Sequence, residues 1–321
     1  MMKGRSYATV AVRRNTGQIV VRERKLKSSF SAWMTQLPFA RGFFLLWDML
    51  GIGLWALNVS QNIYLEDRGE KQESRESASE RALVIVSIVV SFAIAIGVFK
   101  LLPTFLVDTV NWWLVPINKA GWNNILEGVF KFGIFVGYVA AIGLIPEVRR
   151  VFMYHGAEHA AINAFEENPK RDDAEWAATH SRLHPRCGTS FIAFLIVISV
   201  VTYYFLDTWL LKLGVPAISG WPIWWIRWPA RILAIPLLAG ISYELLKLTF
   251  FLRRIWLFRP LAYFGMLFQI LTTRRPSPDQ VEVAIAALRR VRALTEDDAS
   301  RPQAESASGD SGASSNHGTP I

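Results

Sequence analysis

Two histidines and a carboxylate stand within five residues of one another in "YHGAEHAAINAFEE", residues 154–167 of a chain that is otherwise strongly apolar. His155 and His159 are four apart, so on a helix their imidazoles leave one face about one turn apart, close enough to grip a single metal ion. Glu158 lies beside them. The order is H-x-x-E-H, the mirror of the zinc-protease H-E-x-x-H, in which the glutamate works on metal-activated water. So short a pattern also arises by chance, and its plain alternative is a polar helix facing solvent. Two facts favour a metal. All the histidines except His317 fall between His155 and His184, and "HSRLHPRCGTSF" sets His184 close before the only cysteine, Cys187. Imidazole and thiolate are the ligands zinc prefers.

His155 and His159 supply two ligands, and His184 is the first choice for the third, with Cys187 close behind it. A thiolate binds zinc strongly but is commoner in structural sites. Three protein ligands and an open position let zinc, or another divalent transition metal, activate water with Glu158 as general base; four make a structural site. Glu244, in "AGISYELLKL", is a further candidate ligand, because a carboxylate near the end of an apolar span is costly unless paired or functional. Its plain alternative is a pairing with Lys247. Arg186 could hold a phosphate or carboxylate, or meet lipid headgroups. Ser190 opens an apolar run, where a hydroxyl more naturally satisfies helix backbone than attacks a substrate. The chain has no Walker-type loop, no paired C-x-x-C and no G-x-S-x-G turn.

The elements that position these residues read as membrane helices. Of 321 residues, 52% are apolar and 13 are tryptophan, an excess that points to a bilayer. Runs at 82–99, 132–146, 188–206 and 221–243 approach the roughly 20 apolar residues needed to cross hydrocarbon. The stretch 41–64 is apolar too but holds Asp48 and three glycines, and reads as an interfacial or re-entrant helix. Up to Arg41 there are nine Lys or Arg against Glu23 alone, and Lys247, Arg253, Arg254, Arg259, Arg274 and Arg275 follow the last run without an acid before Pro278. Both flanks therefore belong in the cytoplasm, which requires an even number of crossings. The expected protein is a mainly α integral membrane protein of the cytoplasmic (inner) membrane, with four transmembrane helices and both termini inside.

Around that membrane domain of 82–251, with its cytoplasmic His-rich segment 147–187, lie smaller parts. Residues 1–40 should form a cytoplasmic β-hairpin region, because "SYATVAVRRNTGQIVVRERKL" alternates on either side of Asn15-Thr16-Gly17. Residues 65–81 read as a charged linker. Over 252–296 an interfacial stretch precedes an amphipathic helix with Ser277 as N-cap, Pro278 in the first turn, and Val281, Ala284, Ile285 and Leu288 along one stripe. Residues 297–321 are expected to be disordered. No cleavable signal peptide is expected, and one cysteine excludes an intramolecular disulfide. The net charge of +9 orients the chain and meets anionic lipid. Nucleic acid is not an expected partner, since no reading module accompanies the basic residues.

"MYHGAEHAAINAFE" followed by "SRLHPRCGTSF" resembles the signature of the YqhQ-like family, uncharacterised bacterial membrane proteins described as predicted metal-dependent enzymes. The resemblance extends to "YATVAVRRNTGQIVV", "PFARGFFLLWDMLGIGLWALNVS", "AGISYELLKL" and "LTTRRPSPDQVEVAIAAL", and so to most of the chain from Met2 to about Leu294. Members usually carry a glycine-rich "GGQAV" block ahead of the "MMKG" seen here, and a lysine where this chain has Ala160. The expected function is a membrane-embedded zinc-dependent hydrolase acting at the cytoplasmic interface on a membrane-bound or lipid-linked substrate. The competing expectation is a non-enzymatic scaffold or transporter with a structural metal. The bilayer is the expected partner, with a membrane protein partner or a second copy of the chain as further candidates.

Overall fold

The computed structural model describes residues 1–4, 6–26, 37–69, 78–113, 120–185, 187–214, 223–252 and 255–309. The expected hairpin is present as β2 (Tyr7–Arg13) against β3 (Ile19–Lys25), with a short β1 (Met2–Lys3) added to the other edge of β2. All pairings are antiparallel, and Val10 faces Arg22. Gly17 closes the turn at φ 86°, a left-handed conformation that glycine adopts without strain.

The remainder of the described chain is mostly helical. α1 (Arg41–Asp67) is followed by α2 (Ala78–Ile96), a π-helical turn (Gly97–Leu101) and α3 (Leu102–Trp113). Next come α4 (Ala120–Ile142), α5 (Pro146–Glu167), the short α6 (Ala174–Ala178) and α7 (Gly188–Lys212). α8 (Ile223–Leu252), a 3₁₀ turn (Trp256–Phe258), α9 (Arg259–Thr272) and α10 (Pro278–Gly309) complete the order. Among the described residues, five helical stretches are long and apolar enough to cross a membrane: Arg41–Asp67, Ile85–Trp113, Ile125–Ile142, Gly188–Leu210 and Pro229–Leu252. Their outward faces carry large exposed apolar side chains such as Leu54, Phe92, Phe105, Val129, Phe205 and Leu233. Each such side chain left in water forgoes about 1.5–3 kcal/mol of burial, so these surfaces suit hydrocarbon.

Residues 41–64, expected as an interfacial or re-entrant helix, form α1, one unbroken helix of 27 residues that runs three residues beyond that stretch, to Asp67. The tail beyond Asp297, expected to be disordered, is helical as far as Gly309, because extending a helix that is already nucleated and docked costs little per residue. Residues 310–321 and most of the charged linker lie outside the described residues.

A small core holds the sheet, α5, α6 and α10 together. On α5, Ala157, Ala161 and Ala164 pack with Val281, Ala284, Ile285 and Leu288 of α10, and with Met2 and Ala177. The apolar stripe expected on α10 is thus its docking face. Ser277 begins that helix, its N–H donating to Gln280 Oε1 at 2.9 Å. Thr9 Oγ1 of β2 donates to Ala287 O at 2.8 Å, and Arg13 donates to Asp279 O and Glu282, which pins the sheet on the same helix.

Candidate metal centre

α5 presents two faces. At about 100° per residue, the alanine face that packs on α10 and the face carrying His155 and His159 lie on nearly opposite sides of the helix. The small side chains bring α10 close, while the histidines meet the 182–187 segment and the end of α9. Gly156 permits that approach, since a Cβ there would stand 2.2 Å from Arg274 O.

The ligand atoms of His155, His159 and Cys187 all lie within 4.8 Å of one another. His159 and Cys187 are buried, at 4% and 7% exposure. Each imidazole is fixed from behind by a main-chain carbonyl: His155 Nδ1 donates to Thr272 O at 3.0 Å, and His159 Nδ1 to Arg182 O at 2.7 Å. A carbonyl only accepts, so Nδ1 carries a proton, and Nε2 is the ring nitrogen left to face Cys187 or a metal ion. Cys187 Sγ is 3.3 Å from His155 Nε2. Carbonyls holding the outer ring nitrogen are the usual support behind metal-binding histidines.

Burial pushes the Cys187 thiol up, but hydrogen bonds with His155 and then His159, aided by their charges, outweigh it and bring the thiol down to about 5. Burial likewise works against a charged His155, yet the Cys187 partner and the Thr272 carbonyl leave it raised. A thiolate among imidazoles is a ready ligand set for a borderline divalent metal. It is also the pairing found in cysteine nucleophiles, but a nucleophile needs one imidazole and access, whereas this thiol is buried between two.

The remaining candidates fall around this trio. His184, the first choice for third ligand, is buried at 4% with its ring 5.9 Å from that of His159, and its Nε2 lies 3.4 Å from Glu166 Oε1. Cys187, the close second choice, is the residue whose ligand atom joins those of the two histidines within 4.8 Å, while the main chain of His184 is held by Gln269, its N–H donating to Gln269 Oε1 at 2.8 Å and its carbonyl accepting from Gln269 Nε2 at 2.6 Å. Glu158 is half-buried, 3.7 Å from the Met1 amine. Glu244 is away from the trio, its carboxylate gripped by Arg41 Nε and Nη2, so Arg41 rather than Lys247 is its principal partner. His180 is engaged by Trp176 O and Glu167. Ser190 donates to Gly265 O at 3.0 Å, the backbone role expected of it. Arg186 lies outside the described residues.

Sequence reasoning missed Gln269, Thr272 and Arg182. Only Gln269 left a signal, as an amide in the otherwise apolar "GMLFQIL"; the other two act through main-chain oxygens.

The family model "Protein of unknown function (DUF1385)" matches residues 37–294. The "Uncharacterized protein YqhQ" of Bacillus subtilis (strain 168) is 33% identical over 310 residues, which cover 92% of this chain and 91% of the relative. No solved structure matches. With the match running through both histidine clusters and the helices that position them, the chain belongs to the DUF1385 family of YqhQ-like proteins of unknown function.

Proposed function

We propose that this protein is a membrane-embedded, metal-dependent hydrolase that acts at the cytoplasmic interface on a membrane-bound or lipid-linked substrate. The observation that carries this reading is the trio His155, His159 and Cys187, with ligand atoms within 4.8 Å and both imidazoles held by carbonyls. Zinc is the metal that two imidazoles and a thiolate suit best. Three protein ligands leave a position for a substrate or water, and zinc so held supplies the Lewis acidity that makes water a nucleophile near neutral pH. Glu158, next to His159 on α5, is the proposed general base. Arg182 O and Thr272 O keep the imidazoles in the ligating tautomer.

Packing between the chain's two flanks supports the topology. The sheet and α10 touch through Thr9 and Arg13, so they share one side of a bilayer, and an even number of the five candidate helices between them crosses. α1 is the natural exception. Arg41 at its start binds Glu244, toward the end of α8 that leads into the site, and Glu66 and Asp67 at its end bind Arg14 of the hairpin. Both its ends are thus tied toward the metal side, as an interfacial helix requires, and the remaining four stretches cross. The Lys and Arg excess on both flanks puts that side in the cytoplasm.

The test is metal analysis of protein purified without added metal. One zinc or other transition metal per chain is expected, and Cys187→Ser and His159→Ala should each lose it. Protein devoid of metal that also fails to take up zinc would sink the hydrolase reading. Metal held by four protein ligands would favour the scaffold.

A further inference from the structure

A cavity of about 460 Å³, lined by Arg149, Met153, Arg182, Arg274 and Arg275, lies against the backbone that supports the two histidines. That volume falls in the range of small-ligand sites, about 300–1,000 Å³. Of the described residues that line it, four of five are arginines and none is acidic. Among the described residues, no carboxylate pairs with any of the four. Guanidinium groups gathered around one opening repel one another until an anion enters, and their planar forks match the oxygens of a phosphate two at a time.

The cavity and the metal centre share their walls. Arg182 lines the cavity with its side chain, while its carbonyl holds His159. Its Nη1 donates to Thr273 O at 2.8 Å, next to the Thr272 carbonyl that holds His155. Arg274 N donates to Phe152 O at 2.9 Å, beside Met153 and three residues before His155. Exposed apolar side chains stand close by along the chain: Leu144 and Ile145 just ahead of α5, and Leu267 and Ile270 on α9 before Arg274. An acyl chain has a surface to lie on while a headgroup sits among the arginines.

We propose that this cavity binds a phosphate group, carried by a phosphorylated lipid headgroup or arriving as free phosphate, and thereby sets the substrate class of the adjoining centre. That the bound group is a substrate rests on the hydrolase reading; the binding of phosphate does not. The apolar flank favours the lipid.

The experiment uses full-length protein in phosphatidylcholine nanodiscs, as purified and after chelation, titrated calorimetrically with inorganic phosphate and with short-chain dihexanoyl phosphatidate. Arg149 and Arg275 are exposed, so Arg149→Ala with Arg275→Ala should leave folding and metal content intact while weakening phosphatidate binding tenfold or more. Arg149→Lys with Arg275→Lys keeps the charge but loses the fork, and should weaken it less; this pair serves as the test if the alanine pair misfolds. Tighter binding of phosphatidate than of inorganic phosphate assigns the site to lipid, and equal affinity assigns it to free phosphate. Absence of saturable binding by either, or binding that both variant pairs leave unchanged, overturns the proposal. Arginine-dependent binding by protein that never holds metal would refute the hydrolase reading alone.

Discussion

Gly156→Ala tests the packing that joins the two histidines to their supports. Replacing glycine by alanine inside a helix ordinarily stabilises by roughly 0.5–1 kcal/mol. At Gly156 the new Cβ would stand 2.2 Å from Arg274 O, so the 272–274 segment must retreat by more than a bond's length of slack allows. It is not free to do so, because Arg274 N is bonded to Phe152 O on α5 itself and Thr272 O to His155 Nδ1. Forced overpacking costs about 1–3 kcal/mol, which exceeds the helix gain, and loss of a carbonyl behind a ligating imidazole lowers metal affinity by roughly 10–100-fold. Gly133→Ala and Gly137→Ala on α4 are the controls, since nothing lies within 4 Å of a Cβ at either position. Thermal unfolding of chelated protein and competitive metal titration should show Gly156→Ala less stable and weaker in metal binding, with both controls at or above wild type. A Gly156→Ala protein that melts with the controls and binds metal as wild type does would refute the claim that this contact shapes the site.

The roles within the site can be separated by two substitutions on α5. Glu158→Gln should keep metal and folding but fail to complement a strain lacking the protein, whereas His155→Ala should lose metal and function together; full complementation by Glu158→Gln would remove the carboxylate from catalysis, and loss of metal would make it a ligand. For topology, single cysteines introduced at Ser181 and at Leu213, with native buried Cys187 as the blank, should behave oppositely in intact cells. Leu213→Cys should react with a membrane-impermeant thiol reagent and Ser181→Cys should not, and labelling of Ser181→Cys would put the metal side outside.

What could be read locally was read correctly. The two strands about their Gly17 turn, the cap and stripe of α10, and the one-turn spacing of His155 and His159 are all set by neighbours within a few residues, and each appears as expected. What failed depended on partners far along the chain. His184 and Cys187 were comparable third ligands because 180–187 has no period from which to tell which side chain faces the pair. Gln269, 85 positions away, takes both backbone groups of His184, a contact that no local pattern announces. Glu244 looked like a ligand for the same reason, its partner Arg41 being 203 positions distant. Asp48 and the glycines of 41–64 suggested an interfacial or re-entrant helix, and α1 runs unbroken through Gly51 and Gly53, where nothing lies within 4 Å of a Cβ.

The candidate metal centre sits where irregular backbone meets a regular helix, and that follows from what each can offer. Carbonyls inside a helix are occupied by their own ladder, so α5 can supply imidazoles but not the acceptors that orient them. Those come from Arg182, between α6 and α7, and Thr272, at the last turn of α9, where main-chain oxygens are unpaired. The side chain of Arg182, and those of Arg274 and Arg275 just past Thr272, are the ones that line the cavity. In the proposed reading, an anion drawn toward Arg182 and Arg274 pulls on the same two stretches of backbone that fix the imidazoles. Occupancy of the cavity and affinity for the metal are then coupled, and by linkage the coupling is equal in both directions.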